Sequence, residues 1–143
     1  MAVLDANWEM MAALLDEAFS DEVSPLERID RFVRAFSEML ALTRQQMGAT
    51  PGCPLGNLAA ELSAQDDTAR ARITQILDTW ARYFANAIGE AQARGEIDRS
   101  IDPSETALAI LSYLQGRALM AKAYDRPELV DHAQAGIRSL LHQ

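Results

Sequence analysis

The sequence is poor in the residues on which many small non-helical domains depend. Its 143 residues contain one cysteine, two histidines, seven glycines and five prolines, and 6% of them are aromatic. One cysteine excludes an internal disulfide, and one thiol with two imidazoles cannot supply the four ligands of a structural zinc site. We therefore expect neither a metal nor a cofactor. Stability has to come from packing of the 49% of residues that are apolar.

Positive charge is also scarce. Thirteen basic residues stand against 21 acidic ones, a formal net charge of −8, so the segment lacks the cationic surface that DNA binding requires. The apolar runs are too short to span a bilayer, and the acidic start is unlike a signal peptide, which favours a cytoplasmic protein without membrane contact. Glycine-rich phosphate loops, serine-elbow motifs and paired Glu-x-x-His motifs are absent, so nothing indicates an enzyme.

Helix-forming sequence is abundant instead. Alanine and leucine are far more frequent than the β-branched residues, and apolar residues recur every three or four positions. The pattern predicts six helices: residues 3–19, 25–46, 55–62, a helix of about 26 residues that ends near Gly95, 103–124 and 127–141. The expected fold class is all-α, with residues 1–143 forming one helical bundle domain.

The last two predicted helices carry more apolar surface than a small domain can cover. Apolar side chains lie on almost every side of residues 103–124, and Gly116 and Gly136 lie inside helices, where glycine costs up to about 1 kcal/mol relative to alanine. A two-fold homodimer, with a four-helix bundle made by the last two helices of each copy, would cover these faces. The alternative is a monomer core that tolerates both glycines. The residues predicted to form the dimer interface are Leu111, Leu114, Gly116, Met120, Leu129, Ala133, Gly136 and Leu140.

Several short motifs follow one another along the chain. They are Ala2-Val3-Leu4-Asp5, Ser24-Pro25-Leu26-Glu27-Arg28-Ile29, the segment from Gly52 to Leu62, Gly95-Glu96-Ile97 followed by Asp102-Pro103, Leu114-Gln115-Gly116 and Asp125-Arg126-Pro127. Their order resembles the C-terminal ligand-binding and dimerisation domain of the TetR family of transcriptional repressors, over essentially the whole chain. The helix-turn-helix domain that the family carries upstream is absent, so we expect Met1 to begin a fragment and operator DNA to be bound only through the missing domain.

The resemblance implies that an effector controls DNA binding. A ligand that enters the helical core would tilt the first helix and change the spacing of the two DNA-binding domains in the dimer. The expected effector is an unknown small molecule, apolar or electrophilic. The predicted ligand contacts are Trp8, Met11, Phe36, Met39, Asn57, Trp80, Tyr83, Phe84 and Tyr113. Such side chains also fill ordinary cores, so the alternative is a helical protein–protein interaction module without a small-molecule pocket.

Cys53 is the candidate for reactive chemistry. It precedes Pro54 at the start of a predicted helix, where free amides and the helix dipole favour a thiolate. The resemblance adds that some TetR-type regulators sense electrophiles or oxidants through a cysteine. Lys122, the only lysine, lies on a predicted dimer-forming helix, and its ammonium would lower the pKa of the thiol if the two side chains were close. The pair is either a redox or electrophile sensor, or an inert buried thiol and a solvated surface lysine.

Overall fold

The computed structural model describes all residues, 1–143, and places most of them in α-helices. These are α1 (Ala2–Ala18), α2 (Pro25–Met47), α3 (Pro54–Leu62), α4 (Asp67–Ala93), α5 (Pro103–Tyr124), α6 (Glu128–Asp131) and α7 (Ala133–Leu140). The first five agree closely with the predicted helices, and the all-α fold class is confirmed.

Local sequence explains where the helices begin and end. Pro54 and Pro103 occupy the first turns of α3 and α5, where a missing amide hydrogen costs nothing. The carboxylates of Asp66 and Asp102 accept hydrogen bonds from the free backbone amides at the starts of α4 and α5. Gly48 ends α2 in the left-handed conformation, at φ 83°. These local contacts define the helix boundaries.

The predicted sixth helix is present in two pieces, α6 and α7, separated at His132. The carbonyl oxygen of His132 accepts a hydrogen bond from the guanidinium of Arg117, at 3.5 Å. Nearby, α7 approaches α5 closely at Gly136, because a Cβ there would lie 2.3 Å from the phenol oxygen of Tyr113. The close packing that requires glycine at position 136 is therefore formed between α7 and α5 of one chain, and not with a second copy as the sequence suggested.

The helices enclose one continuous core. α4 packs on α5, α2 and α1; α3 contacts both α1 and α4; and α6 and α7 cover α2 and α5. The short helix α3 therefore touches both the first helix and α4, the longest helix of the chain. None of the helices combines the length and the apolarity needed to cross a membrane.

Candidate functional site

Aromatic side chains from the first half of the chain and from α4 fill the centre of the bundle. The ring of Trp80 lies 5.9 Å from that of Phe32 and 6.3 Å from that of Phe36, between centroids, both in edge-to-face contact. Such distances are those of ordinary aromatic packing in a core. Four of the predicted ligand contacts are fully buried in this core and line none of the larger cavities: Met11, Phe36, Trp80 and Phe84.

Two further predicted contacts lie at the edge of the aromatic centre. Trp8 is partly exposed and lies 6.5 Å from Trp80, between ring centroids. The hydroxyl of Tyr83 donates a hydrogen bond to the carboxylate of Asp16 in α1. Partial burial, together with this carboxylate, raises the pKa of Tyr83 to about 12. Tyr83 therefore stays protonated and connects α4 to α1. Neither Trp8 nor Tyr83 lines any of the four larger cavities.

Two of the three remaining predicted contacts lie elsewhere. Met39 lines an open groove of about 440 Å³ between α1 and α2. Tyr113 packs its ring on Gly136, and its hydroxyl oxygen accepts a hydrogen bond from Nε of Arg117 at 3.2 Å. The structure thus divides the predicted ligand contacts among a solid core, a surface groove and a helix–helix contact. Only Asn57 joins the cleft described next.

A cleft of about 370 Å³ lies between α3, α4 and α5. Its wall combines small and apolar side chains with a thiol and two amides. The lining residues are Cys53, Gly56, Asn57, Ala59, Ala60, Leu77, Gln115, Gly116 and Leu119. Cys53, Asn57 and Gly116, which the sequence singled out separately, therefore meet at one place. We call this space the Cys53 cleft.

Cys53 is the N-cap of α3 and lines the cleft. Its sulfur accepts hydrogen bonds from the backbone amide of Gly56 at 3.5 Å and from Nε2 of Gln115 at 3.6 Å. The residue is only 3% exposed, and this burial raises the pKa of the Cys53 thiol, although the two donors act in the opposite direction. The thiolate expected from the helix N-terminus is therefore disfavoured, because desolvation outweighs the free amides.

Gln115 is the site residue that sequence reasoning missed. A Cβ on Gly56 would lie 2.1 Å from its Oε1 atom, so the glycine is what allows the amide of Gln115 to reach Cys53. The only sequence signal at this position is the Leu114-Gln115-Gly116 motif, which contributes to the family resemblance but indicates no function for Gln115. The amide of Asn57 also has a defined partner, because its Nδ2 donates to the carbonyl of Pro51 at 2.8 Å.

Lys122 does approach the loop that carries Cys53, but through its stem. A Cβ on Gly52 would lie 3.3 Å from Cδ of Lys122, while the lysine as a whole is exposed. The ammonium is not among the groups that shift the pKa of the thiol. Lys122 therefore packs against the residue before Cys53 without activating it.

The predicted dimer-interface residues fall into three groups. Leu111, Leu114 and Ala133 are buried in the core of their own chain, which leaves them no surface for a second copy. Gly116 and Met120 are exposed, the latter at 50%. The other three interface candidates are only partly buried: Leu129, Gly136 and Leu140.

Helix α5 exposes further large apolar side chains that the interface prediction omitted. Leu108, Leu119 and Tyr124 are 53%, 60% and 66% exposed. Gly116 lies among them with no atom within 4 Å of the position that a Cβ would occupy. The open apolar face of α5 is thus centred on Gly116, and it borders the Cys53 cleft because Gly116 and Leu119 line both.

Known proteins resemble the chain in sequence and in fold. Residues 25–137 match the family model described as tetracyclin repressor-like, C-terminal domain. The transcriptional regulator AcuR of Cereibacter sphaeroides is 37% identical over 129 residues, which cover 90% of this chain and 57% of AcuR. The chain therefore spans little more than half the length of that relative.

Two solved structures share the fold. The regulatory protein TetR from Rhodobacter sphaeroides superposes with a TM-score of 0.79 at 34% identity, over 99% of this chain and 71% of that one. A TetR transcriptional regulator from Chloroflexus aurantiacus superposes with a TM-score of 0.81 at 21% identity, over 98% and 69% of the two chains, and supports the fold alone. The family consists of regulators, so the expectation of a protein that is not an enzyme is confirmed. The chain belongs to the TetR family of transcriptional regulators, and its helices form the C-terminal domain of that family.

Proposed function

We propose that this chain is the effector-sensing and dimerisation domain of a transcriptional repressor that acts in the cytoplasm. A small effector binds in the Cys53 cleft, α1 shifts, and the full-length protein releases its operator. DNA contact belongs to a helix-turn-helix domain outside these residues, in keeping with the net charge of −8. The observation that carries the proposal is the position of the Cys53 cleft beside α3, the short helix that also contacts α1.

The lining of the cleft defines the effector class. Its volume of about 370 Å³ is near the lower end for ligand pockets, so the effector is small. Ala59, Leu77 and Leu119 suit an apolar body, while the amides of Asn57 and Gln115 suit one hydrogen-bonding end. A soft electrophile of this size would also lie within reach of the Cys53 sulfur, but the protonated thiol favours reversible binding first.

The route from the cleft to α1 runs through α3. The cleft side of α3 carries small residues such as Gly56 and Ala60, whereas Leu58 and Leu62 pack against the core. A ligand that displaces Gln115 from Cys53 presses on this small-residue side, and α3 then shifts against α1. The ligand acts only through its higher affinity for the shifted state, a coupling of about 1–3 kcal/mol in typical allosteric proteins.

The open face of α5 supports the dimer. Between residues 106 and 121 the helix carries a single charged side chain, Arg117, in a chain of which 24% is charged. Exposed apolar side chains on both sides of Gly116 form a surface that can pack on its own copy about a two-fold axis. TetR-family regulators typically dimerise, and a dimer fixes the spacing of two DNA-binding domains. The partly buried residues Leu129 and Leu140 extend the same interface.

Methyl vinyl ketone, a small apolar electrophile with one carbonyl, tests the sensing part of the proposal. Butanone is its saturated control. We expect methyl vinyl ketone to modify Cys53 in the folded protein and to shift the melting temperature, and butanone to shift it more weakly at high concentration. Ala59→Leu, which fills the cleft, should suppress both effects, whereas Ala71→Leu on the exposed surface of α4 should not.

The outcomes separate the rival functions. A thiol that reacts only in denaturant, combined with no thermal shift by either compound, would favour the interaction module without a pocket.

Sedimentation equilibrium tests the dimerisation part independently. We expect a mass of twice the 15.8 kDa of one chain, and a monomer at all concentrations would contradict it.

A further inference from the structure

The loop between α2 and α3 is held against one edge of α5. Along this edge Gln115, Lys122 and Asp125 are spaced by seven and three residues, which puts them on one side of the helix. They contact residues 50–53 in reverse order: Gln115 donates to Cys53, the stem of Lys122 packs on Gly52, and Asp125 accepts from Thr50. The loop and the helix therefore share a fixed register over the whole segment that leads into the Cys53 cleft.

Asp125 makes the most hydrogen bonds of these three residues. Its Oδ1 atom accepts hydrogen bonds from the backbone amide and the hydroxyl of Thr50, both at 2.9 Å. Its two oxygens also accept from Nε and Nη2 of Arg44, at 3.0 and 3.2 Å. One carboxylate thus joins the last turn of α2, the loop and the end of α5. We call Asp125, Arg44 and Thr50 the carboxylate latch.

The conformation and burial of the three latch residues suit these contacts. Asp125 is in the left-handed conformation, at φ 53°, which aspartate and asparagine tolerate better than other residues with side chains. Arg44 binds it in the two-pronged geometry that guanidinium and carboxylate share. Thr50 is only 4% exposed, although it lies in a loop. These donors lower the pKa of Asp125 to about 2, so the latch is ionised at any physiological pH.

We propose that Asp125 is a positioning residue for the Cys53 cleft, and that the carboxylate latch holds the 48–53 loop on α5 so that Cys53 stays covered. Release of the latch lets the loop lift from α5 and exposes the thiol, while the helices stay folded. The inference rests on the proposed function only in taking the cleft as the effector site. It concerns the chain without effector, so it can be tested even if no effector acts there.

The rate of Cys53 alkylation by N-ethylmaleimide measures how often the thiol is uncovered. The sulfur bonds to one carbon of the maleimide double bond, and the other carbon takes up the proton, so the product is a stable adduct that intact-mass spectrometry counts. Asp125→Asn keeps the volume and the left-handed preference but removes the charge. Thr50→Val keeps the shape and removes the hydroxyl donor. Asp102→Asn is the matched control, because Asp102 caps the other end of α5 and does not touch the loop.

We expect Asp125→Asn to accelerate alkylation about tenfold or more, with Thr50→Val in the same direction. The acceleration should be independent of urea below the unfolding transition, because a local opening exposes little surface. Asp102→Asn should leave the rate within a factor of two of the wild type. The proposal is overturned if Asp125→Asn and Thr50→Val both react at the wild-type rate, or if the control accelerates as much as they do. A rate that rises with urea from zero would assign the effect to global unfolding and also overturn it. If Asp125→Asn fails to fold, Thr50→Val alone decides.

Discussion

A single methyl group at Gly116 discriminates between an open surface and a dimer interface. Gly116 in α5 and Gly89 in α4 are both inside helices, and neither would bring an added Cβ within 4 Å of another atom of the chain. In an isolated subunit, replacement of either glycine by alanine should stabilise the fold by about 0.5–1 kcal/mol, because alanine loses less conformational entropy in a helix. Gly89→Ala therefore supplies the reference for Gly116→Ala.

The difference between the two variants gives the magnitude for the dimer. If α5 packs on its own copy at Gly116, the two-fold axis places the extra methyl twice in one tight contact, and overpacking costs about 1–3 kcal/mol each time. A total of about 2 kcal/mol or more raises the Kd of the dimer about 30-fold or more. Sedimentation velocity across a dilution series measures this Kd for the wild type, Gly89→Ala and Gly116→Ala. Equal Kd values for all three would refute the placement of the interface.

Three further predictions follow from single contacts. Gly56→Ala should displace the Gln115 amide from Cys53, since the new methyl would lie 2.1 Å from Oε1. We expect the free energy of unfolding, measured by urea titration, to stay within about 1 kcal/mol of the wild type, while alkylation of Cys53 becomes faster. An unchanged alkylation rate would show that Gln115 does not cover the thiol. Phe84→Ala should lower the free energy of unfolding by about 3–5 kcal/mol, because the ring is completely buried in the aromatic centre. A decrease below about 1 kcal/mol in the same titrations would indicate a cavity beside the ring. The wild type should be more stable than Asp125→Asn by a constant free energy above about pH 5. This difference should vanish as the pH falls from 3.8, the usual pKa of an aspartate, towards the folded pKa of about 2, because the contacts of Asp125 stabilise the fold only while the carboxylate is ionised. A difference that persists below pH 2 would contradict the ion pair as its source.

The helices were predictable because their signals are local. Periodicity, Pro103 at the first turn of α5 and Asp66 and Asp102 as caps specify where helices begin from a few adjacent residues. The division of the last helix at His132 was not predictable in the same way. It coincides with contacts to α5, such as the hydrogen bond from Arg117, 15 residues earlier in the chain.

The candidate site was predictable only in part, for a physical reason. Helical spacing indicates that Trp80 and Phe84 are buried, but it does not distinguish a solid aromatic centre from the wall of a pocket, since both need the same residue types. At Cys53 the local sequence gave the sign of the dipole effect on the thiol pKa correctly and missed the larger, opposite effect of burial, which depends on contacts with helices distant in the sequence. In the sequence Asp125 was only part of the Asp125-Arg126-Pro127 motif before the last predicted helix, and its contact with Thr50 spans 75 residues.

Hydrogen–deuterium exchange tests most directly whether occupancy of the Cys53 cleft is transmitted through α3 to α1. The chain is compared before and after complete alkylation of Cys53 with methyl vinyl ketone, with Cys53→Ala treated identically as the control. We expect amide exchange to change in α3 and to accelerate in α1, with α7 unaffected. Changes confined to peptides that contain Cys53 would contradict the account, because occupancy of the cleft would then not reach α1.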